Sequence, residues 1–171
     1  MLLKWNDAQK NNSSGFKLSR LRPTENVFHA IYILDNHTGA LFASSQFSKY
    51  HHLSESPEDL ISSFLNAMNM FINELNPDEE IQEINFKHMR ILYERKERLL
   101  VIAISKKSNL QVEKCYVHEI VNDFYFRFGP KISRFNGVID PAMTNYKDRL
   151  DNFDLSQSRA YNNSINLLWE D

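Results

Sequence analysis

The sequence predicts an α+β domain: a five-stranded antiparallel sheet with one helix on one face and two on the other. Three observations carry this expectation. Segments 27–34 and 99–104 are nearly uninterrupted apolar runs, as strands covered on both faces are. Segments 57–75 and 109–128 repeat their apolar residues at helical spacing. The turn Asp35-Asn36-His37-Thr38-Gly39 folds the first apolar run back into a hairpin, because Asp and Asn bond their own backbone and Gly accepts positive φ.

A chain of 171 residues suits one domain with short tails and is long enough to bury a core without disulfides or metal. With 42% hydrophobic and 25% charged residues and only four Gly and five Pro, it has the balance of a globular domain. The formal net charge of -2 offers no global field for a phosphate backbone, so nucleic acid is not an expected partner. Cys115 is the only cysteine; it cannot form an intramolecular disulfide, which fits a reducing, cytoplasmic setting. The start Met1-Leu2-Leu3-Lys4-Trp5 is too short an apolar run for a signal peptide, and no segment is long enough to span a bilayer. Leu2 in place of Gly excludes myristoylation, so any membrane association is expected to come through a partner or a weak terminal contact.

Residues 1–24 read as a polar N-terminal arm, with Asn-Asn-Ser-Ser-Gly at 11–15 and cations at Lys17, Arg20 and Arg22. The domain is expected over 25–153. In strand 27–34 the one polar side chain is His29, read as a satisfied core residue. The returning strand, 40–47, ends in Ser44-Ser45-Gln46, which suits a sheet edge. His51-His52 has no ligand spacing to support a metal site. Ser56-Pro57-Glu58-Asp59 then starts the central helix, with a cap, Pro at the first position and acids at the positive end of the dipole.

Asn76-Pro77 stops that helix, and strands are expected at 81–86 and 89–94. The cluster Glu94-Arg95-Lys96-Glu97-Arg98 reads as a solvated hairpin tip, with an electrostatic docking patch as its functional alternative. The two apolar strands should pair in the middle of the sheet. A second helix over 109–128 places Leu110, Val117, Ile120, Val121, Phe124 and Phe128 on one face and ends at Gly129-Pro130. Cys115 and Phe126 fall on its other side, as though another element covers them. Asp140-Pro141 caps a third helix with Met143, Tyr146, Leu150 and Phe153 at helical spacing. The tail, 154–171, is polar until Ile165-Asn166-Leu167-Leu168-Trp169, a short apolar end that can dock on the domain or serve another protein as a linear peptide.

The central helix carries the functional expectation. Leu60, Ile61, Phe64, Leu65, Ala67, Met68, Phe71, Ile72 and Leu75 form one continuous arc, read as core. The opposite face, Ser62, Ser63, Asn66, Asn69, Met70 and Asn73, carries no charge. A merely solvated face usually bears Lys and Glu, whereas interfaces are depleted of charge and enriched in Met. Ser62, Asn66, Asn69, Met70 and Asn73 are therefore candidate partner-interface residues.

The order strand, strand, helix, strand, strand, strand, helix, helix resembles the longin domain, within the profilin-like group that includes roadblock proteins, and is similar to archaeal longin-like proteins. The resemblance covers 25–153; its most recognisable pieces are Ile31-Tyr32-Ile33-Leu34-Asp35-Asn36-His37-Thr38-Gly39-Ala40-Leu41-Phe42, segment 59–75 and the two terminal helices. Roadblock domains have a helix where this chain has its arm, so longin fits better. The resemblance implies a non-catalytic role, in which such domains pair with each other and serve small GTPases, trafficking complexes or SNARE regulation. A longin SNARE would continue into a heptad segment, and only a short tail follows Phe153. Longin and roadblock modules pair through the central helix and the neighbouring edge strand, which adds Phe42 and Ser44 to the candidate interface.

The leading expectation is thus an interaction module that forms a homo- or heterodimer, with a longin or roadblock subunit or a small GTPase as partner. The alternative is a small-molecule sensor with a pocket beneath a helix and His29 and Tyr32 as polar handles. Enzymatic function is weighed least: the chain has no GxxxxGK[ST] loop, GxGxxG, GxSxG elbow or HExxH, and its titratable residues are scattered. No cofactor, metal or catalytic residue is expected.

Overall fold

The two apolar runs do lie side by side at the centre of a five-stranded antiparallel sheet. The computed structural model describes residues 24–47 and 58–155; the arm before Thr24, the His51-His52 loop, the Ser56-Pro57 cap and the tail beyond Leu155 lie outside the described residues. The elements run α1 (Thr24–Val27), β1 (Phe28–Asp35), β2 (Leu41–Gln46), α2 (Glu58–Leu75), β3 (Glu83–Asn85), β4 (Arg90–Lys96), β5 (Leu99–Ser105), α3 (Leu110–Ser133), α4 (Pro141–Thr144) and α5 (Lys147–Asp151). The strand order is β2-β1-β5-β4-β3. Every residue of β1 and of β5 is buried, as continuous apolar strands require.

On one face, Phe28, Ile31, Ile33, Phe42, Leu99 and Val101 pack against Tyr116, Val117, Ile120 and Phe124 of α3 and against Met143, Tyr146 and Leu150 of the short α4 and α5. Asn109 starts α3 by accepting the Val112 N–H at 3.1 Å. The other face, with Ala30, Tyr32, Leu34, Ile91, Tyr93, Leu100 and Ile102, receives α2 through Leu65 and Ile61.

Four sequence expectations change. Helix α3 does not stop at Gly129-Pro130 but runs to Ser133 with Pro130 inside it. Carrying the helix through Pro130 brings Ile132 into full burial, and one more buried isoleucine, worth about 1.5–3 kcal/mol, offsets the one backbone hydrogen bond that Pro cannot make. The third helix is broken into α4 and α5 by a turn at Asn145 and Tyr146. There the Tyr146 hydroxyl donates to Asp123 at 2.7 Å and its ring meets Phe124 edge-on. Among the described residues no element covers Phe126, whereas Cys115 is half-buried against the core.

The charged hairpin tip is not simply solvated. Glu97 takes the left-handed backbone, and Arg98 turns inward onto Asp35 of the neighbouring hairpin. Its Nε and Nη2 donate to the two Asp35 carboxylate oxygens at 2.9 Å each, and its Nη1 to the Phe135 carbonyl beyond α3 at 3.3 Å. Asp35 also receives the Thr38 N–H at 3.0 Å and hydroxyl at 2.6 Å, so one carboxylate sets the β1–β2 turn and fastens it to the β4–β5 turn. Burial alone would raise the Asp35 carboxyl; the Arg98 guanidinium and the Thr38 donors outweigh it and hold the group below the usual carboxylate range.

A folded-state value depressed in this way contributes stability above the unfolded pKa of about 3.9, and that contribution is lost as pH falls through the lower folded value. Asp35→Asn is therefore expected to cost about 2 kcal/mol at neutral pH, the scale of hydrogen bonds to a charged group. In urea denaturation, the gap to the parent chain should hold steady between about pH 5 and 8 and narrow below about pH 4.

Candidate functional site

Helix α2 is seated about a quarter turn away from the orientation its apolar arc predicts. Ser62, Asn66 and Asn69 are buried against the sheet, and Asn73 is half-buried. Of the proposed interface residues on this helix, Met70 alone remains exposed. The apolar arc is split. Leu65 is buried and Ile61, Met68 and Ile72 are half-buried, whereas Leu60, Phe64, Phe71 and Leu75 point outward.

The cause lies on β4. Arg95 is largely enclosed between α2 and the sheet, and its guanidinium needs acceptors there. Its Nη2 donates to Asn69 Oδ1, and its Nη1 to the Ile81 carbonyl at 3.1 Å and to Glu80 at 3.3 Å. Burial pulls Arg95 below its usual pKa, opposed by Glu80 and Tyr93. The Asn69 amide in turn donates to Asn36 Oδ1 at 3.0 Å, linking the helix to the β1–β2 turn. Next to it Asn66 crosses the turn so closely that a Cβ on Gly39 would stand 2.9 Å from its Nδ2. Only Gly at position 39, also at φ 74°, permits this approach. Beneath the helix, burial pushes the Tyr93 hydroxyl up to about 12.

Leu60, Phe64, Phe71 and Leu75 form one outward stripe, and Met70 lies off its edge beyond Ser63 and Glu74. Leu60, Phe64, Met70, Phe71 and Leu75 are 63%, 61%, 51%, 59% and 66% exposed. With Ala67, the residues Leu60, Phe64, Phe71 and Leu75 repeat at intervals of three and four, the seam spacing of a helix that packs along another helix. Together they present roughly 600 Å² of apolar side chain, the upper end of what a monomer leaves to solvent. The signal was present in the sequence as this seam, but it was absorbed into the wider arc read as core.

The other sequence candidates fall elsewhere. Phe42 is fully buried against Phe124 and Phe135, on the face away from α2, and Ser44 is buried as well. β2 packs against α4 and α5, with the Ser45 hydroxyl bonded to Asp151, and Phe42 and Ser44 are not open to solvent. Tyr32 is buried within the α2-facing cluster and His29 is nearly so; burial, then Lys106, lowers the His29 pKa. Neither lines the groove of about 540 Å³ that runs between β4 and α3 past Tyr93, Arg95, Lys114 and His118. Within that groove His118 Nδ1 lies 2.6 Å from Glu94. Among the described residues no three His, Cys, Asp or Glu side chains cluster to hold a metal, and no helix is long and apolar enough to cross a membrane.

No family model matches the chain, and no curated protein matches it in sequence.

The seating of α2 predicts an inversion of the usual mutational order. Phe64→Glu is expected to change stability by less than about 1 kcal/mol, as on a surface. Asn69→Leu, which adds apolar area but strips Arg95 and Asn36 of their partner, should cost about 1–3 kcal/mol in thermal or urea melts.

Proposed function

We propose that this chain is a non-catalytic interaction module of longin-like architecture, which joins a second subunit through the outward stripe of α2. The stripe itself carries the reading. Five large apolar side chains exposed on one helix are costly to leave in water, at about 25 cal/mol per Å² of apolar surface. Phe64, Phe71 and Met70 are of the residue types enriched at interface cores.

Charge favours a different subunit over a second copy. Segment 58–80 contains six carboxylates and no Lys or Arg. An antiparallel two-fold contact between identical helices would set Glu58 and Asp59 against the acidic end, Glu74 to Glu80, of the other copy. A related longin or roadblock subunit with a basic rim meets the same stripe without that repulsion. The small GTPase served by the assembled pair and the trafficking setting come from the resemblance in element order, and the cytoplasmic location from the lone Cys115. Recruitment to membranes is then a property of the partner.

Phe64→Asp combined with Phe71→Asp is expected to leave the fold intact and to weaken capture of a stoichiometric partner from the native source by at least about thirtyfold, the loss of a hot spot worth 2 kcal/mol. Phe126→Asp, at a bare site on α3, should retain the partner. Equal recovery with all three chains would dismiss the stripe as the interface. Binding of the purified pair to small GTPases loaded with either nucleotide then checks the GTPase part.

A further inference from the structure

We propose that in the isolated chain the α2 stripe is occupied by the chain's own N-terminal end, Leu2-Leu3-Lys4-Trp5. This rests on the reading of that stripe as a docking surface and names its resident occupant. Charge, reach and mass action select this segment.

The first is charge. Residues 1–22 contain Lys4, Lys10, Lys17, Arg20 and Arg22 against the single acid Asp7, whereas the stripe is bordered in sequence by carboxylates alone. The other apolar terminus, Ile165-Asn166-Leu167-Leu168-Trp169, ends in Glu170-Asp171 and would bring more negative charge to an acidic rim.

The second is reach. Thr24 enters the domain directly before β1, with its hydroxyl donating to the Phe153 carbonyl at 3.1 Å on the side of α5, so the arm must pass around the sheet to reach α2. The 19 residues from Trp5 to Thr24 can span up to roughly 60 Å, about twice the 27 Å length of an 18-residue helix such as α2.

The third is mass action. A tethered segment meets its site at an effective concentration on the order of millimolar, far above the micromolar level of a second copy in solution. Leu2, Leu3 and Trp5 supply apolar anchors with one cation among them, and Trp is the side chain most enriched at hot spots. A true partner must displace this occupant, which raises the threshold for assembly without closing the site.

The full chain with Trp169→Phe leaves Trp5 as the only tryptophan. At low salt its acrylamide quenching should be at least about threefold less efficient than in the same chain carrying Phe64→Ser and Phe71→Ser, and 1 M salt should move it toward that variant as the Debye length falls to about 3 Å. Circular dichroism checks that both chains fold. Equal quenching of Trp5 in the two chains overturns the assignment. So does protection that grows with protein concentration, which gives the site to a second copy, or a response of Trp169 in a Trp5→Phe chain, which gives it to the tail. If Trp5 is indifferent while the Phe64→Asp, Phe71→Asp chain still loses its partner, the arm is ruled out and the docking surface stands; if both are indifferent, the surface itself falls.

Discussion

The guanidinium of Arg95 is the constraint on which the candidate surface depends. A cation enclosed between a helix and a sheet must be paired or hydrogen-bonded, and breaking such an arrangement costs about 3–5 kcal/mol. Asn69 supplies one acceptor, and the chain leading out of α2 supplies the others through Ile81 and Glu80. Rotating α2 to bury Phe64 and Phe71 would recover a comparable amount, about 1.5–3 kcal/mol for each full burial, but would carry Asn69 away from the sheet. The described part of the fold pairs the buried charge through both Nη groups, with Nε left unpartnered, and leaves the apolar area outside. What a monomer leaves unburied in this way, a partner can bury.

The rest of the molecule forms the frame on which that surface sits. Asp35 ties the two hairpin turns together through Arg98 and Thr38, and Asn36 in the same turn holds Asn69. On the opposite face Asp123 receives Tyr146 at 2.7 Å and the Nε groups of Arg149 and Arg127 at 2.6 and 3.0 Å, which fastens α4 and α5 to α3. Burial opposes the charge on Asp123, yet these donors hold its carboxyl below the usual range. Aromatic contacts of Phe124 with Phe128 and Tyr146 fill the layer between. A helix seated on such a frame presents its stripe with little ordering left to do on binding.

Sheet order was legible because it follows from local composition: two strands with no polar side to show must be central, and β1 and β5 are. The rotation of α2 was not legible, since an amphipathic projection assumes that the apolar arc faces inward. That assumption fails where a residue distant in sequence, here Arg95, places a charge beneath the helix. The same blindness affected Arg98, read within a run of charges as solvated, whose partner Asp35 lies 63 residues earlier. Phe42 was placed at an interface by its position on the edge strand, and alternation along β2 instead turned it into the α3 core. In each case the sequence displayed the residue and its type, while its orientation was set by a contact made only in three dimensions.

The orientation of α2 is most directly tested by nuclear Overhauser contacts from its side chains in the full chain. Cross-peaks are expected from the Asn69 side-chain amide to Asn36 and to the Arg95 guanidinium, with none from the Phe64 or Phe71 rings to Leu100 and Ile102 in the sheet. Cross-peaks from those rings to Leu100 or Ile102, with the Asn69 amide exchanging as a free amide does, would show the apolar arc turned inward and contradict the account.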